Sequence, residues 1–272
     1  MITLQHSLCN LIRYDGNVEE FEKELPYCLL PDAIRFYFSR PYSHFEQNPE
    51  GTDVSWYKFP TDLKSLTKEK ALSQPMHLAS TSLKSVLGEK SIIDKYLEIN
   101  HDLPREEFYG ILVHLIQDYL FDEFIRDNFD YSHKYEPDAY FIFENKKYNG
   151  IEIRKEFLKF GEYGFYLLAF YCYKVFGIVT DQKWFDEHVY KVLIENYPKD
   201  LADNTYKYMI IPEEINTKIA NKDFSGLVQS NYNKKYSDFY SNVINYTRDI
   251  TDFFIKYYND NKKDDSIKLN KK

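Results

Sequence analysis

The sequence lacks several features that would assign it to a familiar class of protein. Its 272 residues contain only three cysteines, and this odd, widely spaced set of Cys9, Cys28 and Cys172 predicts no disulfide framework and favours a reducing compartment. No arginine-rich run is present and the formal net charge is −8, so nothing attracts nucleic acid or anionic lipid over the whole surface. The sequence also has no G-x-G-x-x-G, Walker, G-x-S-x-G or C-x-x-C motif. We therefore expect no nucleic-acid partner and no chemistry of those common kinds.

Long apolar runs are equally scarce. The most apolar segment, residues 163–179, is slightly short for a bilayer and carries Lys174, so we expect a buried or half-buried helix rather than a transmembrane segment. The N-terminal MITLQHSLCN lacks the basic and apolar regions of a secretory signal. We therefore expect the chain to begin at its mature residue and to reside in the cytoplasm.

What the sequence does contain is enough apolar material for a sizeable core. Hydrophobic residues make up 43% of the chain and aromatic residues 18%, which predicts a folded protein. We expect a helical region with candidate metal ligands over residues 1–135, and a helical second half over residues 136–260 packed on it as one domain. Residues 261–272 are predicted to be a mobile tail. The fold class is thus all-α, and residues 140–154 are expected to form either one small hairpin around Asn149-Gly150 or simply a connector.

Helical spacing and turn signals predict the individual elements. A first helix should cover residues 1–14, and a second should run from Glu19 to Leu30, closed by Pro31 because proline disfavours helical geometry in the preceding residue. Residues 40–75 should form a long surface loop with one helical turn near Leu63. A cap candidate, an early proline and acidic residues predict a longer helix over about residues 104–128.

Within this longer helix, the stretch GILVHLIQDYLFDEFI places a histidine and an aspartate among core residues. His114 and Asp118 are four residues apart and therefore lie on one face. A charged carboxylate on an apolar face needs a cation, hydrogen-bond donors or solvent. Imidazole and carboxylate at this spacing converge on one point outside the helix, which suits a metal half-site. A simple His–Asp hydrogen bond at the edge of a cleft is the alternative.

Further residues come in an order that resembles the zinc-dependent phospholipase C family, particularly its bacterial intracellular members. An early histidine is followed by a Pro-Asp step, a loop histidine and a Gly-x-x-x-His-x-x-x-Asp helix. The resemblance covers about the first half of the chain and implies a multi-helix phospholipase C or P1 nuclease-like bundle. It also implies five metal ligands: His6, Asp32, His44, His114 and Asp118. In a site of this kind, Asp32 or Asp118 could bridge metals or orient the nucleophilic water.

The sequence departs from that family at two places. Secreted members coordinate metal through a processed N-terminal tryptophan, whereas this chain begins Met-Ile-Thr, and no second His-x-x-x-Glu helix follows Lys155. We therefore expect one or two ions rather than three. Histidine and carboxylate ligands without cysteine suit zinc, with manganese and iron as the alternatives.

The sequence contains four other histidines. His101-Asp102 resembles the doublet of the HD phosphohydrolases, although Asp102 also suits a helix cap. His77 and His133 could enter the cleft, and His188 is expected to be a surface or packing residue.

Three functions are compatible with these patterns. The first is metal-dependent hydrolysis of a small-molecule or lipid phosphoester. The second is a non-catalytic helical protein that keeps a structural metal and binds a protein partner. The third is a helical module in which the histidines and aspartates form only a hydrogen-bonded network. The sequence leaves the oligomeric state open.

Overall fold

The computed structural model describes residues 2–37, 62–67, 93, 96–97, 100–128, 130–132, 140–143, 146–225 and 232–254. About four-fifths (80%) of the interpretable residues are helical, which confirms the predicted all-α class. The long helices, in chain order, are α1 (Ile2–Arg13), α2 (Val18–Tyr37), α3 (Arg105–Asn128), α4 (Gly150–Tyr171) and α9 (Tyr232–Arg248).

Shorter helices fill the second half of the chain. They are α5 (Gln182–Phe185), α6 (Lys191–Asn196), α7 (Lys199–Lys207) and α8 (Glu213–Ala220), with π-helical turns at Cys172–Phe176 and Asp186–Tyr190. A 3₁₀ turn at Leu63–Ser65 confirms the helical turn predicted near Leu63. None of the described helices is long and apolar enough to cross a bilayer.

A small antiparallel sheet precedes α4. Its strands β1 (Asp130–Ser132), β2 (Tyr140–Phe143) and β3 (Lys146–Asn149) pair in that order. The predicted hairpin is therefore present, but its predicted position at Asn149-Gly150 is wrong. Asn149 pairs with Tyr140 as part of β3, so it lies in a strand and not in the turn. Gly150 instead begins α4.

The predicted end of the second helix at Leu30 is also wrong. Helix α2 continues through Pro26 and Pro31 to Tyr37, so Asp32 lies inside it. Pro31 has no N–H to offer the carbonyl four residues earlier, and its ring crowds that carbonyl. Side-chain donors reach the carbonyls on either side of that position: the Tyr197 hydroxyl donates to Pro26, and His114 Nδ1 contacts the Cys28 carbonyl at 2.8 Å. Packing along α3 supports the interrupted helix.

Helix α1 lies at the centre of the core. Its Leu4, Leu8, Leu11 and Ile12 are fully buried. It packs against α2 and α3 from the first half of the chain and against α4 and α9 from the second. Any polar side chain on α1 is therefore placed deep in the protein, where it needs partners on several other helices.

A buried ion pair connects the end of α1 to α2. The guanidinium of Arg13 and the hydroxyl of Tyr14 both donate to the carboxylate of Glu24, whose side chain is 1% exposed. Burial raises the pKa of Glu24, because the charged form loses hydration, and Arg13 opposes that rise. The carboxylate therefore depends on its cation.

We expect Arg13→Met to lower the free energy of unfolding by about 3 kcal/mol at neutral pH, because it leaves a buried carboxylate without its cation. Urea denaturation measures this change. Adding Glu24→Leu should recover most of the loss, and lowering the pH should reduce it as Glu24 takes up a proton. Equal losses in the single and double variants would show that Arg13 acts through packing alone.

Candidate metal centre

Three potential metal ligands meet between α1 and α3. One ligand atom each from His6, His114 and Asp118 can be chosen so that all lie within 4.8 Å of one another. His6 Nε2 lies 3.4 Å from Asp118 Oδ1, and His114 Nε2 lies 3.5 Å from Asp118 Oδ2. The two imidazole rings are stacked with their centroids 3.9 Å apart. His6 and His114 are 2% and 0% exposed, so the cluster is almost closed to solvent.

The backbone of α2 fixes the orientation of His114. Its Nδ1 lies 2.8 Å from the carbonyl oxygen of Cys28, which can only accept a hydrogen bond. Nδ1 therefore carries a proton, and in the neutral ring Nε2 presents a lone pair toward Asp118. Gly110, one turn earlier on α3, allows the close approach that this contact needs: a Cβ there would lie 3.0 Å from the Cys28 nitrogen.

His6 is held from the other side by a glutamine. Its Nδ1 lies 2.6 Å from Gln117 Oε1. Its Nε2 is buried and makes no hydrogen bond among the described residues, although it is 3.4 Å from Asp118. This arrangement matches that of His114, since each ring is held through Nδ1 and turns Nε2 toward the same carboxylate.

The electrostatics differ between the two rings. Burial lowers the pKa of His114, and a charge on His6 would lower it further, so His114 is neutral near pH 7. Burial also opposes the charged form of His6, but the carboxylate of Asp118, 3.4 Å away, and the charge of Asp32 raise its pKa overall. Without a metal, a proton on His6 would supply the positive charge that the carboxylate needs. That is the hydrogen-bonded alternative.

The spacing of the potential ligand atoms fits a bound metal ion. A charge-assisted N–H···O bond spans about 2.7–2.9 Å, which is shorter than the separations of 3.4 and 3.5 Å. Ligand atoms bound to one tetrahedral zinc at about 2.0–2.1 Å are roughly 3.3 Å apart. The buried Nε2 of His6 has no hydrogen-bond partner among the described residues, and two histidines with one carboxylate leave one coordination position open. The residues present therefore suit zinc.

The structure does not bring all five predicted ligands together. Asp32 is buried at 3% exposure, and its Oδ2 accepts a hydrogen bond of 2.7 Å from Thr3 Oγ1. It lies close enough for its charge to raise the pKa of His6, yet it is not one of the three residues in the cluster. His44 lies outside the described residues.

The other histidines lie either away from the cluster or outside the residues that the structure describes. His101 is exposed in the turn before α3. His188 Nδ1 lies 2.8 Å from Glu22 Oε1 and its ring packs beside Trp184, in agreement with a packing role. His77 and His133, like His44, lie outside the described residues.

Sequence reasoning missed the residues that orient the histidines. Gln117 follows His114 by three residues and therefore shares its face of α3, which was an available signal. Nothing in the sequence pairs Thr3 with Asp32, or the Cys28 carbonyl with His114, because these contacts join separate helices.

A small cavity adjoins the cluster. Its volume is about 20 Å³, enough for one water molecule. Two of the three potential ligands line it, together with residues from α1, α3 and α9: Gln5, His6, Cys9, Gln117, Asp118, Phe121, Phe239, Tyr240 and Val243. Helix α9 thus forms its apolar wall.

Comparisons of the chain with protein-family models, with curated proteins and with solved structures find no match. The resemblance to zinc-dependent phospholipase C therefore rests on the motif residues alone.

The raised pKa of His6 predicts how metal affinity varies with pH. A metal ion needs the neutral ring, so binding must displace a proton at every pH below the His6 pKa, which is above the ordinary value of 6.5. Apparent zinc affinity should therefore fall about tenfold per pH unit on acidification through that region. Competition titrations with a chromogenic chelator at several pH values measure this slope. A flat profile would contradict displacement of a proton from His6.

The raised pKa of His6 has the opposite effect on the stability of the metal-free protein as the pH rises. A histidine with a raised pKa contributes stability below its unfolded pKa, and this contribution is lost as the pH rises through its folded pKa. From about pH 6.5 upward the metal-free protein should thus lose this contribution while zinc affinity increases.

Proposed function

We propose that this chain binds a divalent metal ion through His6, His114 and Asp118 and hydrolyses a phosphoester. The convergence of three ligand atoms within 4.8 Å, at a point where two imidazoles face one carboxylate, carries the proposal. Zinc suits this ligand set, with manganese and iron as the alternatives.

The chain's own residues define what the site can do. His6 and His114 bind through nitrogen, and Asp118 contributes the negative charge that a cation requires. A bound ion would act as a Lewis acid, which acidifies water and polarises a phosphoryl oxygen. The protein has a formal charge of −8, so only such a local cation would attract a phosphate-bearing substrate.

The second carboxylate has a separate place in the proposal. Asp32 is held by Thr3 near the histidines, and its charge adds to that of Asp118. We assign it the task of orienting a water at the edge of the cluster.

The free, buried cysteines agree with the cytoplasmic location proposed from the sequence.

The size of the cavity favours a second candidate. A space of about 20 Å³ accepts one water but no phosphoryl group, and Asp118 is only 13% exposed. These features suit an ion that stabilises the fold without catalysis, in a protein that acts by binding a partner. The two candidates share a metal and differ in whether a substrate reaches it.

Assays with a generic phosphodiester and a phosphomonoester, across zinc and manganese titrations, separate these candidates. The catalytic proposal predicts turnover that follows metal occupancy and disappears with chelator. Both metal candidates predict a lower melting temperature after chelation, because binding to the native state stabilises it. Full metal occupancy without turnover on either substrate would favour the structural ion. An unchanged melting curve after verified metal removal would contradict both.

A further inference from the structure

We infer that Gln117 is a positioning residue that sets the tautomer of His6, and thereby decides whether the cluster can hold a metal. The inference rests on the metal-binding part of the proposed function. Gln117 is buried on α3, one residue before Asp118, and contacts the ring of His6 on α1. Its amide oxygen meets His6 at Nδ1, whereas Nε2 faces Asp118, so it would act on a bound ion through the ring rather than directly.

A side-chain amide can meet Nδ1 in two ways. As oriented in the structure, the oxygen of Gln117 accepts from Nδ1–H at 2.6 Å, and the neutral ring keeps a lone pair on Nε2. In the reversed orientation the amide NH₂ would donate to Nδ1, and the ring proton would move to Nε2. That proton would point toward Asp118 Oδ1, 3.4 Å away, where a metal would otherwise bind.

The rest of the cluster favours the first orientation. The Cys28 carbonyl already commits His114 to the tautomer with Nδ1–H. If His6 has the same tautomer, both rings offer the lone pair of Nε2 to a metal ion. The reversed orientation would hydrogen-bond Asp118 to one ring while the lone pair of the other still faced it at 3.5 Å. Only the first orientation presents both nitrogens and the carboxylate to one cation.

The cavity can accommodate the same orientation. Gln117 lines it beside His6 and Asp118, and its buried Nε2 has no hydrogen-bond partner among the described residues. The cavity admits a single water-sized oxygen, which this NH₂ group can bind as a donor. Gln117 would thus accept from His6 through its oxygen and donate to an oxygen in the cavity through its nitrogen.

Nitrogen-15 NMR of the histidines in metal-free protein tests the tautomer directly, at a pH high enough for His6 to be neutral. The signals are assigned with a His6→Gln variant. We expect wild-type His6 to carry its proton on Nδ1. Gln117→Glu should keep that tautomer because a carboxylate accepts the same N–H, whereas Gln117→Met should lose the preference.

Zinc affinity, measured by chelator competition, provides the second readout. We expect Gln117→Met to weaken zinc binding by about 10–100-fold, as is typical when the partner of a ligating histidine is lost, and Gln117→Glu to restore most of it. Gln5→Met is the matched control. Gln5 lines the same cavity, but its amide bonds Gly161 and Tyr240 instead of His6, so zinc affinity should change little.

A proton on Nε2 of wild-type His6 would overturn the inference, and the wild-type measurement does not depend on whether any variant folds. Zinc affinity in Gln117→Met that equals wild type, or falls only as much as in Gln5→Met, would also overturn it. If the tautomer and affinities come out as expected while no phosphoester is hydrolysed, the proposed catalysis fails and the role of Gln117 stands. If turnover is present but does not change in Gln117→Met, the proposed catalysis stands and the role of Gln117 fails.

Discussion

Replacing Asp118 by asparagine is expected to weaken zinc affinity by more than about 100-fold, because losing the partner of a ligand already costs 10–100-fold and Asp118 is a proposed ligand itself. The substitution keeps the shape of the side chain but removes the negative charge that faces His6 and His114 at 3.4 and 3.5 Å. Phosphoester turnover should fall in proportion to metal content. Excess zinc or manganese should partly restore it, since the two histidines remain.

Glu22→Gln is the matched control for this substitution. Glu22 pairs with His188 at 2.8 Å, so the change neutralises another carboxylate beside a histidine but away from the cluster. It should leave zinc affinity and turnover unchanged. If Asp118 merely accepts a hydrogen bond from protonated His6, the asparagine oxygen can still accept that bond, and the loss of zinc affinity should be small. Full zinc occupancy and undiminished turnover in Asp118→Asn would remove Asp118 from the site.

Gly110→Ala is expected to destabilise the protein by about 1–3 kcal/mol and to weaken zinc binding about tenfold or more. A Cβ at this position would lie 2.8 Å from Tyr27 Cβ and 3.0 Å from the Cys28 backbone nitrogen. Neither atom can move away by rotating a side chain, so α3 must shift away from α2. The same shift would lengthen the contact between His114 and the Cys28 carbonyl, which is now 2.8 Å.

Comparison with Leu112→Ala separates the two effects of that shift. Leu112 is fully buried on α3, and its truncation should cost about 2–5 kcal/mol by leaving a cavity without forcing the helices apart. Denaturation curves and zinc titrations on both variants give the comparison. Zinc affinity should fall in Gly110→Ala and be largely kept in Leu112→Ala. Affinities that fall together with stability in both variants would show that the spacing of α2 and α3 does not set the geometry of His114.

Local patterns in the sequence predicted the elements that depend on short-range spacing. Helix α3 has a proline and acidic residues at its start and continuous apolar spacing, and it appears close to its predicted bounds. The pair His114 and Asp118 lies on one face because their spacing on a helix dictates it. That His6 meets this pair was anticipated through the family resemblance, since helix periodicity alone gives no distance between separate helices.

The features that the sequence did not reveal depend on contacts between distant segments. Pro31 was expected to end a helix, but α2 continues because it packs along α3 and because Tyr197 and His114 donate to carbonyls near the interruption. A hairpin turn at Asn149-Gly150 was one of two expectations, but Asn149 pairs with Tyr140 in β3 and Gly150 begins α4. Turn and helix propensities are weak preferences that tertiary packing overrides.

Whether the cluster binds a metal ion is measured most directly by the metal content of the purified protein, determined by elemental analysis after preparation without chelator and dialysis against zinc under reducing conditions. Wild-type protein should hold one tightly bound ion at the cluster, and Asp118→Asn prepared in the same way should lose it. Wild-type protein that retains no more zinc, manganese or iron than Asp118→Asn would contradict this prediction, and would leave His6, His114 and Asp118 as a hydrogen-bonded network.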